Sequence, residues 1–363
     1  YRLVSFSIGC LCHGFFRFRK TYPKSKSEYF KNRPFLFFSN HQNFGLDPFF
    51  NGVALVPEPM FVVAKATLFE MPIAGFFFKH CGAVPIYRKD DSHKKTSESS
   101  NLDLIDTYAD NLVEGRSLGI FPEGTCDQDM TIKRFRSGVA RVANIVLEKT
   151  GVCYLKPAFI FYYDRPHMFS EVKMQFLDEV ELHQKVKDSV FARELENRMR
   201  NVQYSYYEDL KIFLANRDID LTYDQLIRLH SNKSRKFAKL LYIIEPISLW
   251  EFCLGMVSLV TAPGIIGMWP LIAVVKSIGG FIAMDDSEVT TYKSFLALVL
   301  TPIYLLILGF LFPIKFVGLG FLLALISLKL KPYRTRMMAK FWYKLSPKLG
   351  DFVIGHWIVK ASK

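Results

Sequence analysis

The first half of the chain alternates short apolar runs with turns marked by Gly and Pro. Phe35-Leu36-Phe37-Phe38, Met60-Phe61-Val62-Val63-Ala64, Ala83-Val84-Pro85-Ile86-Tyr87, Leu118-Gly119-Ile120-Phe121 and Ala158-Phe159-Ile160-Phe161-Tyr162 read as buried strands. A polar loop, Lys89 to Asn101, separates the third from the fourth. It leads into a helix from Leu102 to Glu114, with Leu102, Ile105, Ala109, Leu112 and Val113 on one face. Gly138 to Lys149 reads as another helix. Strands alternating with helices predict an α/β fold, a mixed open sheet flanked by helices.

The pattern then changes twice. Residues 181–240 are highly charged; Val190 to Leu214 has helical spacing, and Ser231 to Lys239 carries Lys233, Arg235, Lys236 and Lys239. From 241 onward the chain reads as C-terminal membrane helices. Ile247 to Ile266 and Gly267 to Met284 are apolar runs broken at Pro263-Gly264, and Phe295 to Phe312 and Ile314 to Leu328 are broken at Pro313. Each is near the ~20 residues that cross a bilayer. Basic residues flank the set on both sides, the second flank being Lys331, Arg334, Arg336, Lys340, Lys344 and Lys348. Both flanks are therefore expected in the cytosol, with an even number of crossings. Two crossing hairpins and two re-entrant hairpins satisfy this equally.

At the other end, Leu3 to Phe18 is apolar and closes on Arg17, Arg19 and Lys20, as in an interfacial or truncated anchor. The sequence opens on Tyr1 rather than Met, so the natural start is expected upstream. The division that follows is a membrane-associated segment at 1–29, a catalytic domain at 30–180, and a charged helical insert at 181–240. Transmembrane or re-entrant hairpins follow at 241–330, then a basic cytosolic tail at 331–363.

Composition agrees with a lipid-facing part: half of the 363 residues are hydrophobic and 34 are Phe. A formal charge of +13 suits nucleic acid, membrane surfaces or phosphorylated small molecules. No nucleic-acid-binding motif is present and the cations sit beside apolar runs, which favours membrane and phosphate. The six cysteines (10, 12, 81, 126, 153, 253) are scattered, without zinc-ribbon spacing, and read as reduced buried side chains facing a reducing compartment.

Candidate chemistry collects at the strand ends, where loops build active sites in open α/β sheets. After the first strand comes Ser39-Asn40-His41-Gln42-Asn43-Phe44-Gly45-Leu46-Asp47-Pro48. An Asp bonded to one nitrogen of the His41 ring would leave the other free as a base near neutral pH, the logic of a serine hydrolase with a substrate hydroxyl as nucleophile. Lys65 follows the second strand. Arg88 follows the third, where a guanidinium can grip a phosphate through two hydrogen bonds. Phe121-Pro122-Glu123-Gly124-Thr125 follows the fourth, a tight loop presenting Glu123 to a glycerol hydroxyl or a basic residue. Arg136 precedes the helix that begins at Gly138, and Lys156-Pro157-Ala158 opens the next strand. Each taken alone has a plain structural alternative: a turn histidine, a solvated charge, an ordinary turn carboxylate. The remaining histidines (13, 80, 93, 167, 183, 230, 356) read as capping, solvated or packed.

The order of these blocks over residues 35 to 165 resembles the glycerolipid acyltransferase superfamily, which carries NHxxxxD, a K…P…G…R block, FPEGT and a proline block. FPEGT stands intact at 121–125. The resemblance implies a catalytic pair in His41 and Asp47, glycerol-phosphate binding by Arg88, Glu123 and Gly124, and a donor-side role for Pro157. Five residues separate His41 from Asp47 where most of the superfamily has four, and Cys126 replaces a frequent Arg. The longer step is similar to the eukaryotic glycerol-3-phosphate/dihydroxyacetone-phosphate acyltransferase branch. Tyr87-Arg88 followed by Lys-Asp-Asp, the charged insert and Thr291-Tyr292-Lys293 before the last apolar hairpin resemble it more loosely. Gly45 is expected to absorb the extra residue through an unusual backbone angle. The implied reaction moves an acyl group from acyl-CoA to the sn-1 hydroxyl of glycerol 3-phosphate in an integral membrane protein, its catalytic domain in the cytosol at the endoplasmic reticulum. Arg88, with Lys65 or Arg136, would hold the phosphate, and neither metal nor cofactor is expected. A lysophosphatidate acceptor and a non-catalytic membrane lipid-binding protein are the alternatives.

Overall fold

The computed structural model describes residues 12–30, 33–55, 60–70, 83–86, 98–126, 129–232, 234–283 and 286–347, together with Gly9, Gly350 and Ile354. Its centre is a mixed eight-stranded sheet. The strands are β1 (Arg17–Thr21), β2 (Leu36–Ser39), β3 (Met60–Lys65), β4 (Ala83–Ile86), β5 (Ser117–Ile120), β6 (Cys153–Tyr162), β7 (Glu171–Phe176) and β8 (Val180–Leu182). Their order is β1-β7-β6-β2-β5-β3-β4, with β8 also paired to β6. From β6 to β4 neighbours run parallel, while β7 and β8 are antiparallel to β6 and β1 is parallel to β7.

The helices are α1 (Lys26–Tyr29), α2 (Leu46–Leu55), α3 (Glu98–Val113), α4 (Gly138–Thr150), α5 (Asp188–Ser205), α6 (Glu208–Ala215), α7 (Tyr223–Asn232) and α8 (Ser234–Ile244), then α9 (Leu249–Val260), α10 (Gly264–Ile282), α11 (Asp286–Leu311), α12 (Ile314–Lys329) and α13 (Lys331–Leu345). Helices cover the central strands, so those strands are continuous apolar runs rather than alternating ones. Leu36, Phe37 and Phe38 of β2 are all fully buried. In α2, Pro48 falls in the first turn, where its missing N–H costs nothing. Gly151 ends α4 in the left-handed region, φ 78°, and its N–H bonds Leu147 O at 2.8 Å.

Several boundaries depart from the sequence reading. Residues 17–21, assigned there to the N-terminal segment, form β1, and Phe16 and Phe18 enter the main core. The stretch Val190 to Leu214 is two helices, interrupted at Tyr206-Tyr207. The charged insert is amphipathic rather than set apart: Phe191, Leu195, Met199, Leu210 and Leu226 share the core of the sheet. Residues 331–345, expected in a tail, form α13 with Arg336 and Met337 buried. Lys156 and Pro157 lie inside β6 rather than opening it, because strand pairing with β8 begins at Cys153.

The apolar third keeps its two breaks but not its even division. Among the described residues two helices are long and apolar enough to cross a membrane, Ala262–Ile282 with 21 residues and Glu288–Leu311 with 24. The first and last of the four, α9 and α12, have only 12 and 16 residues. At 1.5 Å per residue these span about 18 and 24 Å, short of a hydrocarbon core of about 30 Å. The outward faces of α10 and α11 are apolar: Phe281 and Phe310 are each 90% exposed.

Candidate active site

Parallel strands β2 and β5 end side by side, and two loops leave from their C-terminal ends. Asn40 secures the first. Its side chain bonds both the N–H and the C=O of Ile160, at 2.7 and 2.9 Å, and so pins the loop to β6. The chain then turns into α2, and Asp47 in the first helical turn points back at the loop. Asp47 Oδ2 lies 3.0 Å from His41 Nδ1 and accepts the N–H groups of Gln42 and Asn43 at 2.7 Å each. Tyr162, the last residue of β6, donates its hydroxyl to Asp47 Oδ1. The carboxylate is fully buried and its four contacts hold it in one orientation.

The imidazole is clamped from its face as well. Phe121 stacks on it with ring centroids 4.1 Å apart and planes 17° from parallel. With Nδ1 on Asp47, Nε2 has no hydrogen-bond partner among the described residues, and the side chain keeps 12% of its surface exposed. This is a histidine with one nitrogen oriented and the other free, the arrangement a general base requires.

The second loop is built by Gly124, whose φ of 67° closes the turn behind Pro122-Glu123. Glu123 faces inward and accepts the backbone N–H groups of His41 and Lys133, both at 2.8 Å. It therefore ties the two strand-end loops together through their amides. Burial outweighs the pull of the two N–H donors and pushes its carboxyl up to about 8. Below about pH 4.5 this group is neutral in the folded and unfolded chain alike. Between about 4.5 and about 8 the unfolded chain ionises first, so the Glu123 contribution to stability falls as pH rises through that window. Glu123→Gln is expected to remove this dependence. Its melting temperature relative to the unmodified chain should improve from about pH 5 to about pH 8; a constant difference would count against the shift. Over Gly124 lies Arg136: a Cβ there would meet its Nε at 2.8 Å. The Arg136 side chain is exposed and forms no ion pair among the described residues.

Residues 22–158 match the Acyltransferase family profile. The chain is 33% identical over 119 residues to a chloroplastic 1-acyl-sn-glycerol-3-phosphate acyltransferase of Arabidopsis thaliana, covering 33% of this chain and 30% of the relative. A chloroplastic 1-acyl-sn-glycerol-3-phosphate acyltransferase of Brassica napus is 30% identical over 119 residues, with the same coverage. The chain thus spans under a third of the length of these relatives. Among solved structures, the 1-acyl-sn-glycerophosphate acyltransferase PlsC from Thermotoga maritima aligns with a TM-score of 0.41 at 16% identity, over 55% of this chain and 78% of that one.

The fold brings His41, Asp47, Glu123, Gly124 and Arg136 to one end of the sheet. Register puts the Lys65 backbone at the same edge: Leu36 and Phe61 both pair with Leu118, so the end of β3 is level with Asn40. Arg88 lies outside the described residues. Pro157 stands apart, buried in β6 beside Phe38, and Lys156 is buried against Tyr29 O and Glu179. Gly45 does not take a positive φ; that region holds only Gly115, Gly124 and Gly151 among the described glycines. Its glycine is required by a close approach instead, since a Cβ would sit 2.4 Å from Thr291 Cγ2. Sequence reasoning passed over Tyr162, although it ends an apolar strand just as the chosen residues do.

Proposed function

We propose that the chain transfers an acyl group from acyl-CoA to the sn-1 hydroxyl of glycerol 3-phosphate, with dihydroxyacetone phosphate as a further acceptor. The observation that carries this is the imidazole held on Asp47 through Nδ1 with Nε2 unengaged. Nε2 takes the hydroxyl proton as the oxygen attacks the thioester carbonyl. A C–O bond forms, the tetrahedral intermediate collapses, and the C–S bond breaks. The leaving thiolate recovers the proton from the imidazolium, whose charge Asp47 stabilises meanwhile. Arg136, lying across Gly124, supplies a cation for the acceptor phosphate. Lys65 ends β3 and Arg88 comes after β4 in sequence, and both complete our assignment of the phosphate grip. Pro157 contributes from inside β6, at one remove from the donor. Holding the two substrates in register supplies much of the rate.

The apolar helices support a membrane-bound enzyme, and the basic residues flanking them support a catalytic face in the cytosol. We assign it to the endoplasmic reticulum on the resemblance to the eukaryotic branch. The plant relatives carry chloroplastic names. Those names also favour a second reading, in which the acceptor already bears an acyl chain. The test supplies radiolabelled acyl-CoA to the detergent-purified chain with either glycerol 3-phosphate or lysophosphatidate. Faster labelling of glycerol 3-phosphate is expected. Preferential labelling of lysophosphatidate replaces the acceptor, and labelling of neither removes acyl transfer altogether.

A further inference from the structure

The five residues between His41 and Asp47 are held from outside the stretch 22–158. Asn43 is fully buried, and its amide nitrogen donates to Thr290 Oγ1 at 3.0 Å. Thr291 Oγ1 donates to Asn43 Oδ1 at 2.8 Å and accepts the N–H of Gly45 at 3.2 Å. Thr290 passes its own hydroxyl proton to the carbonyl of Arg165, whose guanidinium returns to the carbonyl of Gln42 at 3.1 Å. Gln42, Asn43 and Gly45 are thus each bonded into one circuit, and both threonines are buried, at 0% and 4% exposure. Phe49 meets Phe295 edge-on at 5.9 Å just beyond it.

We propose that Thr290 and Thr291, in the N-terminal part of the apolar helix α11, are positioning residues that set the conformation of the His41–Asp47 loop. They touch no reacting atom. They act on Asn43, whose backbone N–H is one of the donors orienting Asp47, and through Asp47 on the imidazole. The role accounts for the extra residue in the His–Asp step. The longer loop reaches α11 and is fixed there by hydrogen bonds, with Gly45 allowing the closest approach. It also makes a helix long enough to cross a bilayer part of the frame that holds the base.

The inference rests on the acyl-transfer reading, and the test separates the two. Thr290→Val and Thr291→Val remove each hydroxyl with little change of shape, and Thr290→Ser and Thr291→Ser retain it. In the full detergent-purified chain, each Val variant is expected to lose about 10- to 100-fold in kcat with KM nearly unchanged, and each Ser variant to recover it. Equal kcat in the unmodified and Val chains overturns the positioning role while leaving acyl transfer intact. So does a Ser variant as slow as its Val counterpart. No acyl transfer by the unmodified chain overturns the reading beneath it. Should a Val variant fail to fold, Gly45→Ala supplies the second measurement. Its new methyl collides with Thr291 Cγ2, so kcat should fall and be restored by Thr291→Ser in the same chain. Failure of that restoration also overturns the role.

Discussion

His41→Ala is expected to lower the rate of acyl transfer at least ~100-fold, the usual cost of losing a positioned general base. The substitution removes a ring that combines a free nitrogen with an oriented one. It leaves Asp47 bonded to Tyr162 and to the amides of Gln42 and Asn43. The loop therefore keeps most of its ties, and the loss should appear in kcat with the melting temperature little changed. Asp47→Asn is expected to cost a comparable factor by a different route. A carboxamide can turn its oxygen to the two amides and its nitrogen to the Tyr162 hydroxyl, so the loop bonds survive while the negative charge that stabilises the imidazolium is lost. Assay of both variants with saturating acyl-CoA checks the pair. A His41→Ala chain that works at near-normal rate eliminates the dyad.

The parts of this site that lie close together in sequence were legible in it, because their chemistry is local. His41 and Asp47 are six positions apart, and Pro122, Glu123 and Gly124 make one turn, so strand-end placement and side-chain type sufficed. Partners brought in by the fold were not. Tyr162 is 115 positions from the carboxylate it serves, and Thr290 is 247 from Asn43. No periodicity marks such a residue as facing a loop rather than a core. Glu123 was found but its direction was not, since only the folded chain brings the amides of His41 and Lys133 to its two oxygens. Gly45 was singled out for the wrong reason: its need is space beside Thr291 rather than a positive φ.

The fold divides in the same way. Central strands announce themselves as apolar runs because helices cover them. The edge strand β1, with Arg17, Arg19 and Lys20, reads instead as the basic end of an anchor. Its register with β7 sets Arg17 beside Glu171, and Arg17 and Arg19 both form ion pairs with that carboxylate, at 3.0 and 3.4 Å. Length was misjudged at α9 for a related reason. Apolar composition continues through Thr261 to Pro263, but the helix starts at Leu249 under a capping box formed by Ser248 and Glu251. Glu251 is drawn to Arg17 and Arg19 of the sheet edge, which ties the first turn of that helix to the catalytic core.

Arg336→Ala is expected to be the most destabilising single change outside the apolar core, at about 3 kcal/mol, the lower end of the range for breaking a buried ion pair. Arg336 is 3% exposed and bonds Glu245 at 2.6 Å, Glu171 at 3.3 Å and Glu251 at 3.3 Å. It thereby joins α13 to β7, to the end of α8 and to α9. Glu171 is fully buried; burial raises its pKa while the surrounding cations, Arg336 first, pull it down. Removing Arg336 leaves that carboxylate with Arg17 at 3.0 Å and Arg19 at 3.4 Å, which is why the loss falls at the lower end. A lowered melting temperature of the detergent-purified chain is the measurement. Glu171→Gln in the Arg336→Ala background removes the buried charge, and should recover part of the loss if the two remaining arginines compensate it only in part. Melting unchanged by Arg336→Ala would mean that the cluster is solvated, and that the attachment of α9 and α13 to the sheet rests on their apolar contacts alone.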